Sequence, residues 1–197
     1  MKIYIDGHNF RYEIENICRL FFPNEKFDVI TQLDNIDYDS DYIITKVILE
    51  GNSYKLKARV RFEGSVSEKA HIVEDDFEDI EDECERKLAL ILFNCLSEVL
   101  NIQPPWGIIT GVRPVKLMRK LIKQMGIEKA CLYFKDEFNV SKDKIDLCLK
   151  TLKEEEEVLK LSDKKSFSLY ISIPFCKTRC TYCSFVSQSI EPAHNLI

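Results

Sequence analysis

YIITKVILEGNSYKLKARVRF, residues 42–62, decides the fold. The run divides at EGNS (50–53), a short polar loop with a glycine between two β-prone arms, and that pattern predicts a hairpin. The second arm alternates throughout: Tyr54, Leu56, Ala58, Val60 and Phe62 interleave with Lys55, Lys57, Arg59 and Arg61. A period of two sends the first set to one face and the second to the other. The sheet should therefore be buried on one side and wet on the other. Four cations on one strand face also suit an anion or nucleic-acid surface. No aromatic side chain interleaves there for base stacking, so a solvated sheet face is the simpler reading.

Upstream of the hairpin, KIYIDG (2–7) alternates Ile3 and Ile5 and stops at Gly7, as a short strand does. NFRYEIENICRLFF (9–22) sets Phe10, Ile14, Ile17 and Phe21 on one helical face, with Asn9 as N-cap and Pro23–Asn24 as terminator. FDVITQL (27–33) is strand-like, and DNIDYDSD (34–41) is a polar turn region. Downstream, the longest helical pattern runs from Glu74 to about Leu100 through Phe77, Ile80, Cys84, Leu88, Ile91, Cys95 and Val99. Its acidic opening, EDDFEDIEDECE, suits the positive end of a helix and predicts a solvated face. NIQPPWGIITGVRP (101–114) breaks the helix, and Pro114 is placed to open a new one that ends at Gly126. EKACLYFKDEF (128–138) and KDKIDLCLKTLKEEEEVLKL (142–161) are helical. In the second, Ser141 is a plausible N-cap, and Ile145, Leu149, Leu152, Val158 and Leu161 mostly share a side. A polar linker, SDKKS (162–166), leads to FSLYISI (167–173), a strand closed by Pro174. The expected class is α+β: an N-terminal α/β unit with antiparallel sheet over 1–103, a helical region over 104–163, and a third segment over 164–197.

Composition bounds the function classes. The 197 residues are 45% apolar and 31% charged, as in an ordinary globular protein. A net charge of −5 argues against a dedicated nucleic-acid binder. The longest apolar run, LALILF (88–93), is far short of the ~20 residues a membrane helix needs. MKIYIDGHNF lacks the features of a secretory signal, so the cytoplasm is the expected location. Eight cysteines are present. Cys18, Cys84, Cys95, Cys131 and Cys148 are scattered along helical patterns and read as small buried apolar residues of a reducing compartment.

Cys176, Cys180 and Cys183 are different, because C-x3-C-x2-C falls on the loop just past the expected strand. A structural zinc site wants four protein ligands, and His194 is the only other candidate nearby. Iron–sulfur clusters are the natural thiolate alternative. Three cysteines would leave one iron without a protein ligand, and an open position marks chemistry rather than scaffolding.

CKTRCTYC (176–183) resembles the signature of the radical S-adenosylmethionine (SAM) superfamily. YISIPFCKTRCTYCSF (170–185) resembles the oxygen-independent coproporphyrinogen III dehydrogenase group, and WGIITGVRPVKL (106–117) resembles its HemZ branch. The resemblance implies that Cys176, Cys180 and Cys183 hold a [4Fe-4S] cluster whose fourth iron is chelated by SAM. It implies that Tyr170 lies near the methionine part of SAM and Tyr182 near the adenine. It further implies a 5′-deoxyadenosyl radical that takes hydrogen from the propionates of coproporphyrinogen III, which then lose carbon dioxide to become vinyl groups. A one-electron reductase such as flavodoxin or ferredoxin would be the partner.

Two positions depart from the pattern. The usual histidine is Ser172, and Phe185 stands where well-studied dehydrogenases carry a further cysteine. In the latter the chain is similar to HemW-like haem chaperones, so haem is the alternative ligand. A substrate with four propionates needs cations. Arg113, Lys116, Arg119 and Lys120 cluster at GVRPVKLMRK, where Arg113 could join helix N-terminal amides on an anion; an ordinary basic helix face is the simpler reading. A complete barrel of this kind takes on the order of 200 residues. Only its first strand and cluster loop are expected here, as in the N-terminal part of a longer enzyme with no sustained SAM chemistry of its own.

Overall fold

The computed structural model describes residues 1–31, 36–75, 79–110, 113–163, 165–178 and 188–189. Contacts divide the chain into two units, Met1–Glu156 and Glu157–Ile197.

In the first unit, β1 (Lys2–Asp6), β2 (Asp28–Ile30), β3 (Tyr42–Glu50), β4 (Ser53–Phe62) and β5 (Ser65–Glu74) form one sheet of order β2-β1-β3-β4-β5. The expected hairpin is β3–β4, with Glu50 opposite Ser53 across Gly51–Asn52. Gly51 carries φ +65 as the first of two loop residues, where a type II′ turn places its glycine. The alternation of β4 holds: Leu56, Ala58 and Val60 are fully buried in the core. Its basic face is largely paired within the protein. Lys55 meets Glu50 at 3.3 Å, Arg59 meets Glu68 at 3.5 Å, and Arg61 donates to the Ser40 carbonyl at 2.9 Å.

β1 runs parallel to both β2 and β3. The sheet is thus mixed rather than purely antiparallel, and Tyr4 is buried along with Ile3 and Ile5. A strand with parallel neighbours on both sides is covered on both faces, which is why the expected alternation is absent there. β5 was not expected. It pairs with β4 through Phe62–Glu63–Gly64–Ser65, where Glu63 (φ 48) and Gly64 (φ 83) give the two left-handed residues of a type I′ turn. Few of its side chains are buried, so no apolar stripe announces it.

The helix layer comprises α1 (Arg11–Phe21) and α2 (Ile80–Leu100). α1 buries Ile14, Ile17, Cys18 and Phe21, and Phe21 meets Phe93 of α2 edge-on at 5.3 Å. Asn9 does not cap α1. Phe10 is the N-cap residue and no side chain caps the helix; the turn before it is held by His8, whose Nδ1 accepts from the Phe10 amide at 3.2 Å. α2 starts at Ile80 rather than Glu74, because Glu74 completes β5. Phe77 of the expected stripe lies outside the described residues. Asp79 caps α2 by accepting from the Asp82 amide, and Asn101 ends it in the left-handed conformation. Cys84, Leu88, Ile91, Leu92, Phe93, Cys95 and Leu96 fill the core against the sheet.

α3 (Pro114–Met125), α4 (Ile127–Asp136) and α5 (Lys142–Lys160) close on a second core of Met118, Ala130, Phe134, Ile145, Cys148 and Leu152. Val158 and Leu161 are exposed. Gly107 (φ +57) lets the 105–109 loop pass against the next connection: a Cβ there would sit 1.8 Å from the Phe138 carbonyl oxygen. Arg86 of α2 lies over the Tyr133 ring and, with Lys87, pairs with Glu137, tying α2 to the helical part.

The second unit contains β6 (Phe175–Cys176) paired in parallel with β7 (Gln188–Ser189). The strand expected over 167–173 does not form. A strand exists through its ladder, and among the described residues none pairs with this segment. Among the described residues there are five helices, and none is long and apolar enough to cross a membrane.

Candidate functional site

Cys176 is the described member of the cysteine run; Cys180, Tyr182 and Cys183 lie outside the described residues. Cys176 stands on β6, opposite Ser189 of β7. The Cys176 thiol is exposed, whereas Cys18, Cys84, Cys95 and Cys148 are buried. Burial pushes all four of those thiols above their ordinary range, and Cys131 with them. A thiol held protonated in an apolar setting is a poor ligand. The scattered cysteines are therefore packing residues, as their spacing suggested. Among the described residues, no three His, Cys, Asp or Glu side chains converge as a metal site. Tyr170 is exposed and belongs to the unpaired segment before β6.

The predicted anion site lies in the first unit, at the N-terminus of α3. Arg113, Lys116 and Arg119 line a basin of about 530 Å3 with Pro114, Val115 and Glu155. Arg113 and Lys116 are exposed. Arg119 is already engaged by Glu155, so one of the three cations is neutralised in place. Lys120 falls outside the basin and lines the cleft described next.

Two of the cavities that the sequence did not forecast bear on function. The larger, about 910 Å3, is bounded by α1, the first half of α2, residues 108–110, and α3. Ile17, Ala89, Ile108, Ile109 and Leu117 line it, as do Glu13, Asp79, Asp82 and Glu85. Burial, reinforced by the charges of Glu13, Asp82 and Glu81, pushes the Glu85 carboxyl up to about 7. The acidic run of α2 was legible, but its position over an apolar floor was not. The smaller cavity, about 450 Å3, opens at the end of β1 beside Gly7, His8, Phe10, Tyr54 and Cys84. His8 resembles a catalytic base by position, at the carboxyl end of a parallel strand. Its bonds show otherwise. Nδ1 accepts from the Phe10 amide, which leaves the proton on Nε2, 3.1 Å from Thr45 Oγ1; that hydroxyl in turn donates to the Tyr4 carbonyl at 3.4 Å. Burial pushes the imidazole down to about 4, against smaller opposing effects of Thr45 and Asp6. Both ring nitrogens are committed, so the residue is structural.

Comparison with known proteins then bears on the whole chain. Over 207 aligned residues it is 26% identical to the oxygen-independent coproporphyrinogen-III oxidase-like protein HemZ of Bacillus subtilis (strain 168). The chain is thus similar to HemZ. The match covers 97% of the chain and 39% of that protein, so the chain spans well under half the length of the curated relative. The similarity extends across the sheet and helical regions as well as the cysteine run. No family model matches the chain, and no solved structure matches it.

Proposed function

We propose that this chain is the portion of a radical SAM coproporphyrinogen III dehydrogenase that carries the cluster-binding cysteines. The observation that carries the reading is the C-x3-C-x2-C run within a chain that aligns along 97% of its length with HemZ. The donor set fits the cofactor. Three thiols within eight residues are soft ligands suited to iron–sulfur chemistry, and the one described is exposed rather than sealed in a core.

Cys176, Cys180 and Cys183 would hold a [4Fe-4S] cluster as thiolates. Such a cluster would supply one-electron reduction of SAM, with a flavodoxin- or ferredoxin-like protein as the reductase partner. Tyr170 and Tyr182 position SAM. Arg113 and Lys116, with the first amides of α3, take a substrate propionate, where charge-assisted hydrogen bonds combine with the helix terminus. Residues 1–103 and 104–163 form the regions ahead of the barrel, which begins within 164–197. The setting is cytoplasmic.

The test is anaerobic reconstitution of the whole protein with iron and sulfide, followed by electron paramagnetic resonance and assay on coproporphyrinogen III. Formation of protoporphyrinogen IX is expected, with loss of cluster on alanine replacement of any of the three cysteines. Arg113→Ala should raise KM roughly tenfold, the loss of one charge-assisted bond, with kcat little changed. A cluster that forms equally well without the three cysteines would overturn the ligand assignment. A loaded protein that binds haem but does not convert coproporphyrinogen would overturn the dehydrogenase reading.

A further inference from the structure

We propose that the cleft bounded by α1, α2, residues 108–110 and α3 binds a cationic amphipathic helix of a protein partner. Apolar side chains of that helix would fill the floor, and its basic side chains would meet the acidic rim. The inference is independent of the cluster assignment.

Size comes first. At about 910 Å3 the cleft is too large for a single side chain and suits a row of aliphatic groups from one helix face. Its floor is apolar through Ile17, Ala89, Ile108, Ile109, Leu117 and Leu121. Tyr12 lines the edge while 73% exposed, a large amphipathic ring left in water at the mouth of an apolar groove. Exposed aromatics in that position are the usual anchors of interfaces.

Charge chooses the partner. Five carboxylates line the cleft (Glu13, Asp79, Asp82, Glu83 and Glu85) against two cations, Arg86 and Lys120. Arg86 is engaged by Glu83 and Glu137, which removes Glu83 from the count as well and leaves four carboxylates against Lys120. The shift of Glu85 is consistent with this geometry, since burial leads it and neighbouring carboxylates add to it. With Arg86 and Glu83 paired to each other, Glu13, Asp79, Asp82 and Glu85 outnumber Lys120 among the lining residues, so complementarity favours a basic helix. The same field repels a tetra-anionic porphyrinogen, which separates this cleft from the basin at Arg113.

The experiment uses the full 197-residue chain and a fluorescein-labelled amphipathic Leu/Lys peptide of about 14 residues, read by anisotropy at low salt. The expected result is saturable binding, with none for the matching Leu/Glu peptide. Glu13→Lys with Glu85→Lys should weaken it at least tenfold. The control, Glu154→Lys with Glu156→Lys, replaces two carboxylates by lysines on the exposed acidic run of α5 and should leave affinity within about twofold. Tyr12→Ser, at an exposed position that cannot cost much folding energy, should weaken binding several-fold even if the double lysine variant misfolds. Equal weakening by the two double variants would reduce the binding to general electrostatics and overturn the proposal. Unchanged affinity in Tyr12→Ser would do the same.

Discussion

Replacing His8 with asparagine and following stability against pH tests the account of the β1–α1 junction. The side-chain oxygen of the introduced asparagine can still accept from the Phe10 amide two residues on, as such residues do in turns, but it cannot titrate. In the native protein the imidazole is held near 4 against an ordinary value of 6.5. Between those values the unfolded chain binds the proton and the folded one does not, so the His8 contribution to stability rises with pH across that window. It is complete above about 6.5 and lost as pH falls toward 4. At about 1.4 kcal/mol per pH unit the span is worth roughly 3 kcal/mol, and partial access of water to the ring reduces it to about 2 kcal/mol. Urea unfolding at pH 7.5, 6, 5 and 4 should show the wild type losing about 2 kcal/mol more than His8→Asn over this range. At pH 7.5 the variant should be about 1 kcal/mol less stable, because Thr45 Oγ1 loses its ring partner. The difference between variant and wild type is the proper readout, since Glu85 contributes a slope of opposite sign. With three histidines in the chain, the His8 ring signal can also be followed directly by NMR. A ring that titrates near 6.5, or identical pH dependence in the two proteins, would refute the burial of the imidazole that this account rests on.

Gly107→Ala should cost about 3 kcal/mol or more by thermal or urea unfolding, because the new Cβ collides with the Phe138 carbonyl and φ is +57. By contrast Gly51→Ala, with nothing within 4 Å, should cost only the left-handed strain of about 1 kcal/mol. Glu85 has its folded value raised, so its contribution falls as pH rises from 4.5 through about 7. Glu85→Gln should therefore gain about 1 kcal/mol at pH 8, after discount for solvent screening, and nothing near pH 4. Cys148→Ala, a buried packing residue, should lower stability by about 1 kcal/mol while leaving reconstituted iron content unchanged; Cys176→Ala should do the reverse.

The sequence by itself determined whatever depends on local period and local chemistry. The β3–β4 hairpin follows from Gly51 between two β-prone arms and the strict alternation of Tyr54 to Phe62. α3 follows from Pro114 at its first position and Gly126 at its end. The packing role of Cys18, Cys84, Cys95 and Cys148 follows from their helical spacing, and the cysteine run is likewise a statement of spacing alone. Tertiary structure decided what depends on neighbours distant in sequence. β5 is held by its ladder to β4, not by an apolar stripe, so it is visible only once β4 is in place. α2 begins at Ile80 because β5 claims the backbone hydrogen bonds through Glu74. Residues 167–173 have strand composition, yet composition supplies no partner, and without one the backbone has no ladder to join. The cleft shows the same division: its carboxylates read from the chain as a solvated helix face. Packing of α1, residues 108–110 and α3 around them turns that face into the rim of an apolar groove, where burial and mutual repulsion raise Glu85 to about 7.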